Sequence, residues 1–290
     1  MTVCIGAISN PENSIVMVAD RMVSTFDGLV TGDNAIFKLN AIHGDWWVAF
    51  AGDTGVVTPI LKRAANALAG DPGPTAEHVR DVLLSAYDYE RIKRAEATCL
   101  GVFGHTMSSF LQKGIKQFGE GMFKTLCDRI SEVRLDCDFL VCGFELRETF
   151  MLGPRAQVFT VRNGIADDFF PIGYWAIGSG TQLALGSLSQ RQQSFRLTTF
   201  ETVYNLCEAR FVSESTYGVG RDETVVIVQR YREHPLLLRG TFIQAVKAIW
   251  KQHYRSMPSA AMPAIEAAIR EAETRQRQPS NPTNSSTDQT

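Results

Sequence analysis

The chain has no uninterrupted apolar run long enough to cross a bilayer, since a spanning helix needs about 20 such residues. It opens Met-Thr-Val-Cys-Ile-Gly, without the basic segment and long apolar stretch of a secretory signal. A cytoplasmic location is therefore expected. The six cysteines (Cys4, Cys99, Cys127, Cys137, Cys142 and Cys207) are scattered, and none forms a CxxC. That pattern excludes a disulfide framework and reads as small buried apolar residues. The five histidines show no HxxxH spacing and no cluster with cysteine, which argues against a zinc site. A formal net charge of -2 supplies no electrostatic reason to expect nucleic acid or an anionic membrane as a partner. No internal repeat is visible.

What remains is ordinary globular material. The 290 residues are 44% hydrophobic, enough for one large domain or two small ones to bury a core. Strand-like segments open the chain. Residues 2–9 are β-rich, and Asn10-Pro11-Glu12-Asn13 is a turn. Ile15 to Val18 is a continuous apolar run suited to a strand buried on both faces. Residues 34–40 and 46–51 suggest two more strands, with His43-Gly44-Asp45 between them. Helical periodicity follows over 56–68 and, interrupted by glycines, from Thr75 to about Val133. Strands return at 138–144, 156–161 and 174–177, the second ending at an Asn163-Gly164 turn.

A helix is expected after Gly178-Ser179-Gly180, with Leu183, Leu185 and Leu188 among its apolar positions. Thr198 and Glu201 form a capping box. Behind it, Phe200, Val203, Tyr204, Cys207 and Phe211 share a helical stripe. Residues 223–229 read as the last clear strand. Helices are expected over 236–254 and 260–275, and the polar remainder from Gln276 as a disordered tail. Clustered strands separated by helix pairs do not fit a simple βαβ alternation. They fit two antiparallel sheets packed between helix layers.

The chemistry-bearing residues lie mostly near the start. Thr2 follows the initiator methionine, and so small a residue permits methionine removal. The α-amine then exposed has a pKa near 8. It can take the proton of its own residue's hydroxyl, an activated-nucleophile arrangement. Asp20 and Lys38 end nearby strand-like segments. A buried lysine beside the hydroxyl favours deprotonation, and a carboxylate offsets the lysine's desolvation. Gly52 and Gly178-Ser179-Gly180 offer turn N–H groups of the kind that stabilise an oxyanion. Each feature alone has an ordinary reading: a common start, a strand-end ion pair, a turn.

Together they resemble the proteasome β-subunit family, over about residues 2–232. The matching elements are Thr2, Ala19-Asp20-Arg21, Lys38-Leu39, Ala51-Gly52 and Gly178-Ser179-Gly180. The opening Met-Thr-x-Cys-Ile-Gly resembles the bacterial proteasome-related group called Anbu. Met1 and Thr2 both fit the nucleophile's slot, and Gly6 favours Thr2 by matching a glycine common in the family's first strand.

The resemblance implies an α+β fold, a four-layer αββα sandwich of two antiparallel sheets (the Ntn-hydrolase fold) with extra C-terminal helices. The implied layout is a hydrolase domain over 2–235, a helical extension over 236–275 and the tail over 276–290. The implied activity is threonine-type hydrolysis of peptide bonds, without cofactor or metal. Thr2 would be nucleophile and base, supported by Asp20 and Lys38. The Gly52 N–H would line the oxyanion hole, and Ser179 would bond near the threonine amine. Ser215 takes the place of a family aspartate, with Glu214 and Asp222 as other carboxylates nearby.

The implied substrate is a peptide or unfolded polypeptide. The implied partners are copies of the chain in a homo-oligomeric ring, with an ATPase unfoldase as an optional one; neither nucleic acid nor a membrane is expected. Two other readings share these residues: a non-catalytic assembly subunit of the same fold, and an Ntn amidase acting on a small molecule. Residues 77–133 are long for the family's helical pair.

Overall fold

The computed structural model describes residues 2–9, 14–25, 30–32, 36–145, 155–216, 219–220, 223–230 and 235–253. The expected turn at 10–13, the helix at 260–275 and the polar tail lie outside them, as does Asp222. The chain divides into a unit over residues 1–247 and a second over 248–290, and both large sheets belong to the first.

The first sheet is built around the opening hairpin. Strand β1 (Cys4–Ser9) pairs antiparallel with β2 (Ser14–Asp20). A small hairpin of β3 (Val23–Thr25) and β4 (Val30–Gly32) follows. The second sheet opens with β5 (Leu39–His43) and β6 (Trp46–Gly52). Helices α1 (Thr54–Leu68), α2 (Ala76–Ala95) and α3 (Met107–Glu132) come next. Strands β7 (Cys137–Glu145), β8 (Arg155–Arg162) and β9 (Ile165–Asp168) complete that sheet in the order β5-β6-β7-β8-β9. The chain then returns to the first sheet through β10 (Tyr174–Ile177), α4 (Thr181–Gln190), α5 (Thr199–Ser213), β11 (Glu223–Gln229) and β12 (Leu236–Leu238). That sheet's order is β10-β1-β2-β11-β12. Helix α6 (Thr241–His253) follows.

The layering follows from which side chains are apolar on both faces. Cys4, Ile8, Met17, Ala49, Leu140 and Val158 fill the space between the sheets. Val56, Ile60, Val79 and Leu83 of α1 and α2 pack on the outer face of the second sheet. Helix α5 lies against β1 and β2 on the other side. The result is the four-layer αββα sandwich, and the sheets approach closely. A Cβ on Gly6 would stand 2.6 Å from the Cys142 sulfur, so glycine is required there.

Three elements differ from the sequence reading. Residues 236–238 form a strand rather than a helix, because Leu236–Leu238 pair with Val225–Ile227 at the sheet edge; Gly240, at φ +56°, then turns the chain into α6. Residues 36–38 are not strand: β5 begins only at Leu39. Phe200 is 87% exposed despite sharing the helical stripe of α5. The glycine-interrupted segment is helical nearly throughout. A π-turn at 96–100 and a 3-10 turn at 101–103 join α2 to α3, and α3 is kinked at Gly119. Among the described residues no helix is long and apolar enough to cross a membrane.

Candidate active site

Thr2 lies just before β1, an interior strand of its sheet, and it and its neighbour Val3 are held by two segments distant in sequence. The Gly180 N–H donates to the Thr2 carbonyl at 3.3 Å, and the Val3 N–H donates to the Asp20 carboxylate at 3.0 Å. Gly178 makes the approach possible. Its φ is +93°, and a Cβ there would fall 2.2 Å from the Thr2 carbonyl oxygen. A side chain at 178 would therefore push the threonine off its strand.

The three residues singled out at the N-terminal end converge. Lys38 donates from Nζ to the Thr2 hydroxyl oxygen and to both Asp20 oxygens, each of the latter at 3.1 Å. Thr2 is 5% exposed, Lys38 4% and Asp20 0%. So complete a burial of charge is tolerable only with dense pairing, and Asp20 has it. Besides Lys38, its carboxylate accepts the N–H groups of Val3, Met22 at 3.2 Å and Gly220 at 3.3 Å. Asp20 is the last residue of β2 and Lys38 immediately precedes β5, so each sheet brings one member of the pair to a common end.

Ser179 also meets Thr2. The Thr2 N–H donates to the Ser179 hydroxyl at 3.2 Å, and that hydroxyl faces the Thr2 carbonyl at 3.3 Å. Gly52 ends β6 at φ +110° and lines the same cleft, where a Cβ would meet the Asp136 carbonyl at 2.1 Å. The cleft is about 780 Å³ and runs from Thr2 and Gly52 to Gly178 and Ser179. It is also lined by Asp136 and Asp138 beside Gly52, by Arg162, and by the stacked rings of Phe169 and Trp175, 3.7 Å apart. Arg162 pairs with Asp138 at 3.2 Å, and partial burial raises the Asp138 carboxyl above its ordinary value against that cation.

Ser215 is placed elsewhere. It lies in the exposed turn after α5, and its hydroxyl donates to the Val212 carbonyl at 2.9 Å. Glu214, the neighbouring carboxylate, is engaged by Arg210 and Lys247. The structure instead brings in a serine that sequence reading missed. Ser213 is buried on α5, and its hydroxyl has two carbonyls in donating range, that of Ala209 at 2.7 Å and that of Gly180 at 3.2 Å. It packs against the loop that holds Thr2. The cysteine nearest the site, Cys4, is not a competing nucleophile: burial pushes its thiol far up, and the sulfur donates to the Phe50 carbonyl.

The four-layer αββα sandwich thus sets Thr2 at the start of an interior strand, with Lys38 on its hydroxyl and Asp20 beneath. The sandwich is similar to a solved structure of an Anbu (Gly-1) mutant from Hyphomicrobium sp. strain MC1. The TM-score is 0.57, covering 96% of this chain and all of that one, with 12% of residues identical. At that identity the likeness establishes the fold. No family model and no curated protein matches the sequence.

Proposed function

We propose that this chain is an N-terminal threonine hydrolase cleaving peptide bonds, a threonine endopeptidase of the self-compartmentalising kind. The observation that carries the reading is the Lys38 ammonium bonded to the Thr2 hydroxyl inside a buried Asp20 clamp. A structural ion pair does not require a third partner that is a hydroxyl on the second residue of the chain.

While Met1 is attached, the Thr2 nitrogen is an amide and no base. Its removal converts that nitrogen to an amine already within 3.2 Å of the Ser179 hydroxyl. In the proposed reaction the amine, through a water, accepts the Thr2 hydroxyl proton while Oγ1 attacks the substrate carbonyl carbon. The lysine charge stabilises the oxygen as the proton leaves. The Gly52 turn supplies an N–H toward the developing oxyanion. The proton passes to the leaving amine as the C–N bond breaks, leaving a Thr2 ester. Water, deprotonated by the same amine, hydrolyses the ester and regenerates the hydroxyl. Substrate is a peptide or unfolded segment laid along the cleft.

Intact-protein mass spectrometry tests this directly. The mature protein is expected to lack Met1 and to gain the mass of a threonine-directed β-lactone at Thr2, with Thr2→Ala inert and Thr2→Ser partly active. A form with an uncleavable residue before Thr2 keeps the hydroxyl and loses the base, and should be as inert as Thr2→Ala. Full reactivity of that blocked form would rule out the mechanism. Inertness of every form, wild type included, would favour a non-catalytic assembly subunit.

A further inference from the structure

We propose that Arg210 is a positioning residue of this site: it holds the Gly220 peptide against Asp20, and Asp20 in turn holds Lys38 on the Thr2 hydroxyl. The proposal rests on the threonine-hydrolase reading and adds to it a residue remote in sequence from Thr2, Asp20, Lys38 and Gly52.

Arg210 lies in the last turn of α5 with its side chain wholly buried. It occupies a face otherwise filled by Val203, Leu206 and Cys207. Burying a guanidinium there costs several kcal/mol before pairing, and apolar side chains of similar volume commonly serve such positions as well or better. Stability alone is thus a poor account of its presence. Its geometry is specific. One terminal nitrogen donates to the Gly220 carbonyl, the other donates to Glu214 at 3.2 Å, and Nε faces Glu223 at 3.4 Å.

Two of those partners adjoin Asp20. Gly220 donates its own N–H to the Asp20 carboxylate, and Glu223 is the residue opposite Asp20 in the β2–β11 ladder. One planar fork therefore fixes the backbone donor to the aspartate by a hydrogen bond and sets its charge beside the aspartate's cross-strand neighbour. Lysine, with a single compact charge, cannot hold the Gly220 carbonyl and the Glu214 carboxylate from two separate nitrogens while lying beside Glu223. On the outer side Lys247 of α6 bonds Glu214, so the chain of contacts runs Lys247, Glu214, Arg210, Gly220, Asp20, Lys38, Thr2.

Two variants separate positioning from folding. Arg210→Met combined with Glu223→Gln removes both charges of the buried pair together. Arg210→Lys keeps the charge and loses the fork. The readouts are thermal melting, β-lactone acylation of Thr2 resolved into a maximal rate and a half-saturating concentration, and deuterium uptake by peptides covering 14–22. At least one variant is expected to melt within a few degrees of wild type. In it the maximal rate should fall tenfold or more, half-saturation should stay within about threefold, and uptake at 20–22 should rise. A folded variant acylated within twofold of the wild-type rate overturns the assignment. So does failure of both variants to fold, which would make Arg210 a folding residue. If wild-type Thr2 takes no lactone, the hydrolase reading falls, and deuterium uptake alone then decides whether Arg210 orders Asp20: unchanged protection at 20–22 overturns it.

Discussion

Lys38 carries the heaviest demand of any single side chain in the site, because it must be charged, buried and bonded to a hydroxyl at once. Lys38→Ala should slow Thr2 acylation by about 10²- to 10³-fold, the span for loss of one donor that stabilises developing negative charge. It should also cost about 3–5 kcal/mol of stability, since Asp20 is left buried without its cation; the three backbone N–H groups on Asp20 place the loss toward the lower end. β-Lactone kinetics and urea melts check the two figures. A second residue-scale effect concerns Glu223, whose carboxyl is raised from 4.5 to about 7, chiefly by burial, with Arg210 opposing. The folded state holds this proton more tightly than the unfolded chain. Its contribution is thus complete below about pH 4.5 and is lost as pH rises through 7, by about 3 kcal/mol in all. Glu223→Gln should remove that slope: the variant's melting temperature should gain on wild type between pH 5 and 8.5, and a pH-independent difference would contradict the assignment. The meeting of Thr2, Asp20 and Lys38 was expected from their order and spacing, read through the family resemblance. Ser213 and Arg210 were not, although a charged residue among the apolar positions of a capped helix was a visible signal left unread.

At the scale of elements, the outcome of sequence reading depended on whether the signal was local. The two-sided apolar run at 15–18 and the capping box at Thr198 and Glu201 act within a few residues, and both produced the expected strand and helix. Residues 236–238 read as helix because three leucines favour one locally; their pairing with β11 is a long-range choice that no window of sequence contains. The same division governs glycines. Gly178→Ala should leave the sandwich intact while costing about 1–3 kcal/mol from the positive φ alone, and displacement of the Thr2 carbonyl should abolish acylation. Gly186, inside α4 with open space around it, is the contrast. Gly186→Ala should raise stability by about 0.5–1 kcal/mol and leave acylation unchanged. Thermal melts alongside lactone labelling separate the two outcomes.

For the whole molecule, the long helical segment presents apolar side chains that a monomer would leave wet. Leu111 is 64% exposed and Ile115 54%, one turn apart on α3. Light scattering should find an oligomer at working concentrations, and Leu111→Glu with Ile115→Glu should shift it toward smaller species without lowering the melting temperature. A wild-type monomer would count against a compartmentalised peptidase. The place of β1 has a different consequence. Chain ends usually fray at little free-energy cost, but β1 is hydrogen-bonded to β10 on one side and β2 on the other. Thr2 directly precedes that doubly paired strand and is held by Lys38, Ser179 and Gly180, so the reactive end is anchored beside the sheet interior rather than at an edge. No partly unfolded species that keeps its core but has lost its reactive end should then accumulate. In rising urea, lactone reactivity and far-UV circular dichroism should disappear at one midpoint, and inactivation preceding the loss of structure would show that this chain end opens on its own.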